Sequence, residues 1–387
     1  MLKKIMISAA AAAMLLSCSP KYVKPSSTAS AQSDADKVEF ALEFFKKTNQ
    51  TVNYDENVVL SPYSAAVALS MLAEGAEGET KAEFDDVLGG SLYAAEDLGS
   101  NDVLTVKSAN SLWISDNFSI RNRYVSLLEK DYDAFVTVQN FADPATVKEI
   151  NNWCSEHTAG KIGHIIDELS PNDVMVLINA LYFNAPWEKA FDENATEDMV
   201  FHGVVEDKEV PMMYRKATFD YAEYQGCQLI RLPYEGGRYS MVVVLPPYGM
   251  GIDQVLPYIN GTAYKGAMNM LSKQEVAFRM PKYRLEVSYI LDKALKKMGI
   301  ETAYTPAADF NGISASGPLS LGTVKQKCYI DVTEKGTEAA AVTSVQVRLT
   351  SVSPNTLKRM TVDRPFLFFI SDSQTDNILF VGKVVDL

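Results

Sequence analysis

Hydrolytic or metal chemistry needs a nucleophile with a base, or a set of ligands, and this chain is poor in both. Its three histidines are His157, His164 and His202. None stands in an H-E-x-x-H or close-pair spacing, no G-x-S-x-G elbow lifts a serine onto a sharp turn, and all three read as structural side chains. Cys154, Cys227 and Cys328 are too scattered for a zinc set or a disulfide framework and read as small buried side chains. No catalytic residue, metal ligand or cofactor is expected, and the chain is not read as an enzyme. The bond-breaking chemistry this sequence invites is chemistry done to it. From Thr337 the residues alternate: Thr337, Ala339, Ala341, Thr343, Val345 and Val347 fall on one face, and Glu338, Ala340, Val342, Ser344, Gln346 and Arg348 on the other. The pattern then gives way to Arg348-Leu349-Thr350-Ser351-Val352-Ser353-Pro354-Asn355, where proline and asparagine favour an exposed turn. A strand with one small, apolar face that runs into a loop offers a protease a bond to cut.

The elements around that stretch are a mixture. Asp36 to Thr48 puts Val38, Ala41, Leu42 and Phe45 on a helical face. Ser61-Pro62 opens a second helix, apolar over most of its circumference and therefore buried. Val103 to Ser115 reads as a central strand, Thr146 to Lys161 as an amphipathic helix, and Val174 to Phe183 as a strand buried on both faces. Leu229–Tyr234 and Tyr239–Pro246 pair around Glu235-Gly236-Gly237; Glu275 to Glu286 adds one strand, followed by a helix from Tyr289 to Met298. Strands and helices mix without βαβ alternation, which predicts an α+β domain with several sheets. The body from residue 36 to 387 shows no second linker and no repeat, so one large domain is expected, with 47% hydrophobic residues to fill its core.

Two motifs carry a resemblance. Glu334-Lys335-Gly336-Thr337-Glu338-Ala339-Ala340-Ala341 resembles the hinge of the serpins, the serine-protease inhibitors that trap a target by inserting a cleaved loop into a sheet. Met360-Thr361-Val362-Asp363-Arg364-Pro365-Phe366-Leu367-Phe368-Phe369-Ile370 resembles that family's C-terminal signature. The resemblance implies a single domain with three β-sheets, about nine helices and an exposed reactive-centre loop, here about 335–360. It also implies a shutter at Ser61, Ser64 and Asn179, and a breach at Trp187 with Lys282 paired to Glu334. Where many members carry a shutter histidine this chain has Gln326, an amide that hydrogen-bonds without titrating near neutral pH. Counted from Glu334 at the spacing of that family's inhibitory members, the resemblance implies a scissile bond at Thr350-Ser351, with Arg348 and Leu349 as alternative cleavage residues. The function implied is irreversible suicide-substrate inhibition of serine proteases through a covalent acyl complex. Thr350 is small and β-branched and favours elastase-like targets; the neighbouring residues extend the range to trypsin-like or subtilisin-like enzymes. Thr337 is expected outside the sheet, its side chain turning inward when the loop inserts. The alternative is a non-inhibitory member acting as a binding or carrier protein. A monomer is expected.

The N-terminus reads as an export signal. Lys3 and Lys4 precede an apolar run from Ile5 to Leu16, too short to span a bilayer. Leu15-Leu16-Ser17-Cys18 resembles a lipobox, which implies cleavage after residue 17, acylation of Cys18 and a lipid anchor in a bacterial cell envelope, at the outer membrane facing periplasm or surface, or else release outside the cell. Residues 18–35 then form a flexible tether ahead of the domain at 36–387. Without residues 1–17 the chain has 34 basic side chains against 49 acidic ones, a formal charge of −15. That excludes a nucleic-acid partner, whose phosphates need a cationic surface. The stretch Leu92 to Asn101, where some serpins carry a basic heparin-binding helix, holds Glu96 and Asp97 and no lysine or arginine.

Overall fold

The computed structural model describes residues 27–387 except 97, 101–103, 170–172, 316–318 and 338–356, with backbone alone for 27–35. Helix α1 (Ser27–Asn49) begins nine residues before the expected Asp36. The tether expected over 18–35 is therefore helical from residue 27. No proline or glycine interrupts residues 27–35, and Ala29, Ala31, Gln32 and Ala35 are good helix formers. Strand β1 (Val58–Leu60) leads into α2 (Pro62–Gly75). Pro62 sits where a helix has no use for an N–H, and the Ser61 hydroxyl caps it by accepting from Ser64 N at 3.3 Å. Every residue of α2 but Glu74 is buried.

The chain continues through α3 (Gly78–Val87), β2 (Thr105–Ser115), α4 (Asn122–Tyr132), β3 (Ala134–Gln139), α5 (Pro144–His157) and β4 (Met175–Pro186). A second run holds β5 (Glu197–His202), β6 (Asp207–Tyr224), β7 (Cys227–Pro233), β8 (Tyr239–Leu245), α6 (Ile252–Val255) and α7 (Gly261–Met270). Last come β9 (Ser272–Pro281), β10 (Tyr283–Ile290), α8 (Asp292–Met298), β11 (Thr323–Val332), β12 (Gly336–Thr337), β13 (Lys358–Thr361), β14 (Phe366–Asp372) and β15 (Ile378–Val384). With three short 3-10 segments, eight α-helices are present among the described residues, against about nine expected. The single strand read over Glu275 to Glu286 is two strands, β9 and β10, broken at Lys282 and belonging to different sheets. The helix after it starts at Asp292 because Tyr289 and Ile290 stay paired in β10. The fold is the expected α+β arrangement. Two of its three sheets join through the long strand β6 into a nine-stranded assembly, ordered β1-β15-β14-β8-β7-β6-β9-β13 with β5 on β6.

The other sheet has six strands in the order β10-β11-β12-β4-β2-β3. Its central strand β4 is buried on both faces, as a continuous apolar run requires. Leu177, Leu181 and Phe183 join the main core, which also holds α2; Val176, Ile178 and Ala180 join a smaller cluster under α5 with Ile150, Trp153 and Cys154. Two strands flank β4 closely at one end and diverge at the other. β11 runs parallel to β4 from Thr323↔Val176 to Cys328↔Leu181, after which the two separate. Into that fork fits β12, with Thr337 opposite Val332 on one side and Ala185 on the other.

Candidate functional site

The base of the fork is held by neutral amides. Gln326 of β11 stands opposite Asn179 of β4, which stands opposite Asn110 of β2, so three buried side chains form a row across three strands. Gln326 Nε2 donates to Asn179 Oδ1 at 3.1 Å and to the Ser61 carbonyl at 2.9 Å; its Oε1 accepts from Ser61 N at 2.9 Å. Asn179 Nδ2 donates to the Ser64 carbonyl at 2.9 Å and to Asn110 Oδ1 at 2.7 Å. The row thus ties the sheet to the N-terminus of α2 and brings Ser61, Ser64, Asn179 and Gln326 together. Gln326 and Asn179 spend all their N–H groups, whereas Ser64 joins through its backbone and its buried hydroxyl has no partner, an orphaned group of a kind that costs about 1–3 kcal/mol in a dry interior. Asn110 was missed. Its signal was available: an asparagine in the half of β2 from residue 109 to 115, all of it buried, demands a partner.

The open end is held by charge and an aromatic stack. Glu334, only 5% exposed, meets Lys282 Nζ at 2.9 Å and accepts from Thr196 Oγ1 at 2.8 Å. Burial raises the Glu334 carboxyl, but hydrogen bonds from Lys282, the backbone and Thr196 outweigh it and hold the pKa below its ordinary value. Trp187 N donates to the Lys335 carbonyl, Phe191 N to the Glu334 carbonyl, and Trp187 Nε1 to the Thr333 carbonyl, at 2.8 to 2.9 Å. The Trp187 indole stacks on Tyr234 with centroids 4.5 Å apart. Trp187, Lys282 and Glu334 therefore meet, and the ion pair is largely buried at its glutamate end because residues 187–196 fold over it.

Thr337 departs from expectation. Rather than standing outside the sheet it is already inside, 1% exposed, with its hydroxyl 2.7 Å from the buried Tyr234 hydroxyl. The fork is wide enough there for one strand, and the Thr333 N–H and hydroxyl both donate to the Gly336 carbonyl, turning the chain back into it. Glu338, Ala339, Ala340, Ala341, Arg348, Leu349, Thr350 and Ser351 lie outside the described residues, as does Cys18. Beyond them the chain re-enters as β13, parallel to β9 in the other sheet. The segment 338–356 thus connects two different sheets.

The remaining candidates are scattered. His157 stacks on Trp153, His164 contacts Asp167, and His202 contacts Asp207. Cys154, Cys227 and Cys328 are buried free thiols; burial pushes Cys154 up to about 12 and raises the other two, so none is a ready nucleophile. Among the described residues no group of three metal-ligating side chains is found.

The geometry defines a class: a six-stranded sheet with a fork at one end, an amide lock at its base, and a chain segment running from the fork to another sheet. The profile of the serpin (serine protease inhibitor) family matches residues 35–387. The chain is 33% identical to an uncharacterized serpin-like protein of Thermococcus kodakarensis, covering 90% of this chain and 84% of that protein. It is 34% identical to human Serpin B8 over 89% of this chain and 96% of that one. Among solved structures it resembles the thermophilic serpin Tengpin in the native state, with a TM-score of 0.84, 29% identity and coverage of 92% and 94%. It also resembles human thyroxine-binding globulin complexed with thyroxine, with a TM-score of 0.83, 28% identity and coverage of 92% and 99%. This chain belongs to the serpin family.

Proposed function

We propose that this serpin is an irreversible suicide-substrate inhibitor of serine proteases, cut at Thr350-Ser351 and favouring elastase-like targets. The observation that carries this reading is the fork. Among the described residues, no strand pairs with 182–184 of β4 or 329–331 of β11 on the side where β12 begins. The residues after Thr337 that keep its period, Ala339 and Ala341, are small enough to enter a parting sheet. In the reaction the protease's serine oxygen bonds to the Thr350 carbonyl carbon, the peptide bond breaks, and Ser351 leaves as a free amine. About a dozen residues then gain ladder partners at ~1 kcal/mol each, a sum that rivals the ~5–15 kcal/mol stability of an ordinary domain. The uncut form is held kinetically, and the released free energy drags the acylated protease along.

The same reading has the protein exported and lipid-anchored at Cys18, acting on proteases that reach a bacterial envelope. The test is to mix the protein with elastase-like, trypsin-like and subtilisin-like proteases, look for a complex that survives denaturant, and locate the cut by mass spectrometry. The expected result is a covalent complex with an elastase-like enzyme and release of a fragment beginning at Ser351. Cleavage without any complex, for every protease tried, would replace this reading with that of a binding or carrier protein.

A further inference from the structure

The chain's exposed large apolar side chains are not evenly spread. Tyr248, Met250 and Tyr258 are 71%, 42% and 70% exposed and lie within one short segment around α6. Met250 and Tyr258 also line a cavity of about 260 Å³ between α6–α7 and the β7–β8–β14 face, whose wall is almost wholly apolar. Tyr248 donates to Asp363 Oδ2 at 2.7 Å while the Arg364 guanidinium lies 3.8 Å above its ring. Through the same Asp363, whose carbonyl accepts from His202 N, the surface reaches the β5–β6 turn, where Val204 and Val205 are 40% and 63% exposed. On the other side Asn49 Nδ2 donates to Asp253 Oδ1, and Lys383 Nζ donates to the carbonyl of Tyr54, itself 68% exposed. Six large apolar side chains thus share one surface, far more than single scattered exposures would give.

The charge around them is mostly acidic. The contributing segments 50–57, 203–207 and 246–258 carry Asp55, Glu56, Glu206, Asp207 and Asp253 and neither lysine nor arginine, and the exposed Lys208 stands at the edge of the surface, directly after Asp207. Asp207 is engaged by His202, and the Arg364 guanidinium is engaged by Asp363. Burial holds the Lys383 ammonium below its ordinary pKa, and Asp253, Glu56 and Asp55 pull the other way, which places those carboxylates around it. Lys383 itself is buried and spends its hydrogen bond on the Tyr54 carbonyl, so it presents no cation at the surface.

Tyrosine and methionine around a socket, inside an acidic rim, suit a partner that offers a large apolar side chain flanked by positive charge. We infer that this face is a docking surface for a basic protein segment, which seats an aliphatic or aromatic side chain in the cavity between α6–α7 and the sheet and sets lysines or arginines against Asp55, Glu56, Glu206 and Asp253. An anionic lipid surface fits it poorly, because the rim repels it. This surface is distinct from the fork, so its success or failure is independent of the inhibitory reading.

The probe is a labelled 16-residue peptide of lysine, leucine and phenylalanine in an amphipathic pattern. Its comparators are one peptide with glutamate for lysine, one with serine for leucine and phenylalanine, and vesicles of phosphatidylglycerol. Binding of each to the full chain is measured by fluorescence anisotropy, or by sedimentation for the vesicles. The expected result is binding of the first peptide alone, weakened at least tenfold by Tyr248→Ser, Met250→Ser and Tyr258→Ser together and unchanged by Ile290→Ser, an exposed apolar residue elsewhere. A second variant, Glu56→Lys with Asp253→Lys, leaves the apolar residues intact; it should lose the lysine peptide and gain the glutamate peptide. Equal binding to wild type and both variants overturns the proposal. So does equal binding of the serine peptide, which would mean charge alone, or of the glutamate peptide, which would mean apolar adhesion alone. Preference for the vesicles would make the surface a membrane contact instead.

Discussion

The two ends of segment 338–356 are anchored in opposite ways. At the proximal end β12 contributes two residues, reached through a turn and seated in a fork that neighbouring strands leave open. At the distal end β13 contributes four, in continuous register from Lys358↔Val276 to Thr361↔Arg279, and Val362 N extends the ladder to the Arg279 carbonyl. Met360 and Val362 are buried, and the chain runs directly into β14, among the most deeply buried strands of the core. The proximal anchor is held by two ion pairs, Glu334 with Lys282 and Lys335 with Glu193, by the Thr337–Tyr234 hydroxyl pair and by a few further hydrogen bonds. The distal anchor is welded to a sheet. The proposed inhibition, in which a strand grows on one side of a cut while the other side stays behind, needs this asymmetry.

The largest effect should come from blocking growth at the proximal end. Thr337 is buried in the fork, so by strand period the next side chain to turn inward is that of Ala339. Ala339→Arg would have to bury an unpaired guanidinium, at a cost of several kcal/mol, before the strand could lengthen. Cleavage should proceed at wild-type rate while the covalent complex falls at least tenfold, because acyl hydrolysis wins the race. Thr337→Arg is the poorer test, since its side chain would disturb the uncut protein as well. Arg359→Ala at the distal end should leave the yield of complex unchanged; a loss there comparable to that of Ala339→Arg would mean that the two ends are not specialised as described.

Next in size is the ion pair at the mouth of the fork. Glu334→Lys replaces a carboxylate 2.9 Å from Lys282 with a second cation. Glu334 is buried and Lys282 about one-third exposed, so the loss lies between the ~0–1 kcal/mol of a surface pair and the ~3–5 kcal/mol of a buried one. The fork should open on mild heating, and the mutant should form chain-linked polymers at temperatures where wild type stays monomeric on a sizing column. Polymers at the same temperature for both proteins would show that the pair does not guard the fork.

Much of this asymmetry was legible in residue types. The hinge run and the distal signature marked both anchors, and the apolar run of β4 marked the central strand, because a strand buried on both faces shows no alternation. The fork was not legible. Where β11 and β4 diverge depends on pairing between strands far apart in sequence, and nothing in Lys335-Gly336-Thr337 reveals that the fork already admits two residues. The same blindness hid the break at Lys282: β9 and β10 read as one strand because strand period survives a change of sheet. Tyr234 and Thr196, which complete the breach, come from segments whose sequence gives no reason to pair them with the hinge.

A smaller and pH-dependent effect follows from the Glu334 carboxyl. Its pKa in the folded protein lies below its ordinary value near 4.5. A depressed carboxylate contributes stability that is fully present above the unfolded value and is lost as pH falls through the folded one. Heat-induced polymerisation should therefore accelerate in wild type as pH drops below about 4.5. Glu334→Gln should polymerise more readily than wild type at pH 7, and the gap between the two should close as the wild-type carboxylate is neutralised. A gap that stays constant down the titration would assign the acid sensitivity to other carboxylates.

The smallest effect is the most specific to the hydroxyl pair between Thr337 and Tyr234, 2.7 Å apart and out of reach of water. Thr337→Val keeps the shape and removes one partner, leaving the tyrosine hydroxyl buried without a hydrogen bond, at a cost of about 1–3 kcal/mol. Tyr234→Phe removes the other partner and leaves the threonine hydroxyl, which is smaller and can turn toward a neighbouring carbonyl. The double variant removes both polar groups together, so its stability should return part of the way to wild type, with a coupling energy of about 0.5–1.5 kcal/mol in a double-mutant cycle. If this contact is the catch that holds the first inserted residue, the single variants should also loosen β12, seen as faster proteolysis within 338–356 by a protease the protein does not trap. The distal anchor, which lacks such a catch, supplies the control: Lys358→Met removes its 3.0 Å contact with Glu223, an exposed pair, and should change neither stability nor proteolysis measurably. Additive single effects in the cycle, with unchanged proteolysis, would reduce the Thr337–Tyr234 contact to packing and leave the proximal end to the ion pairs of Glu334 and Lys335 and the hydrogen bonds beside them.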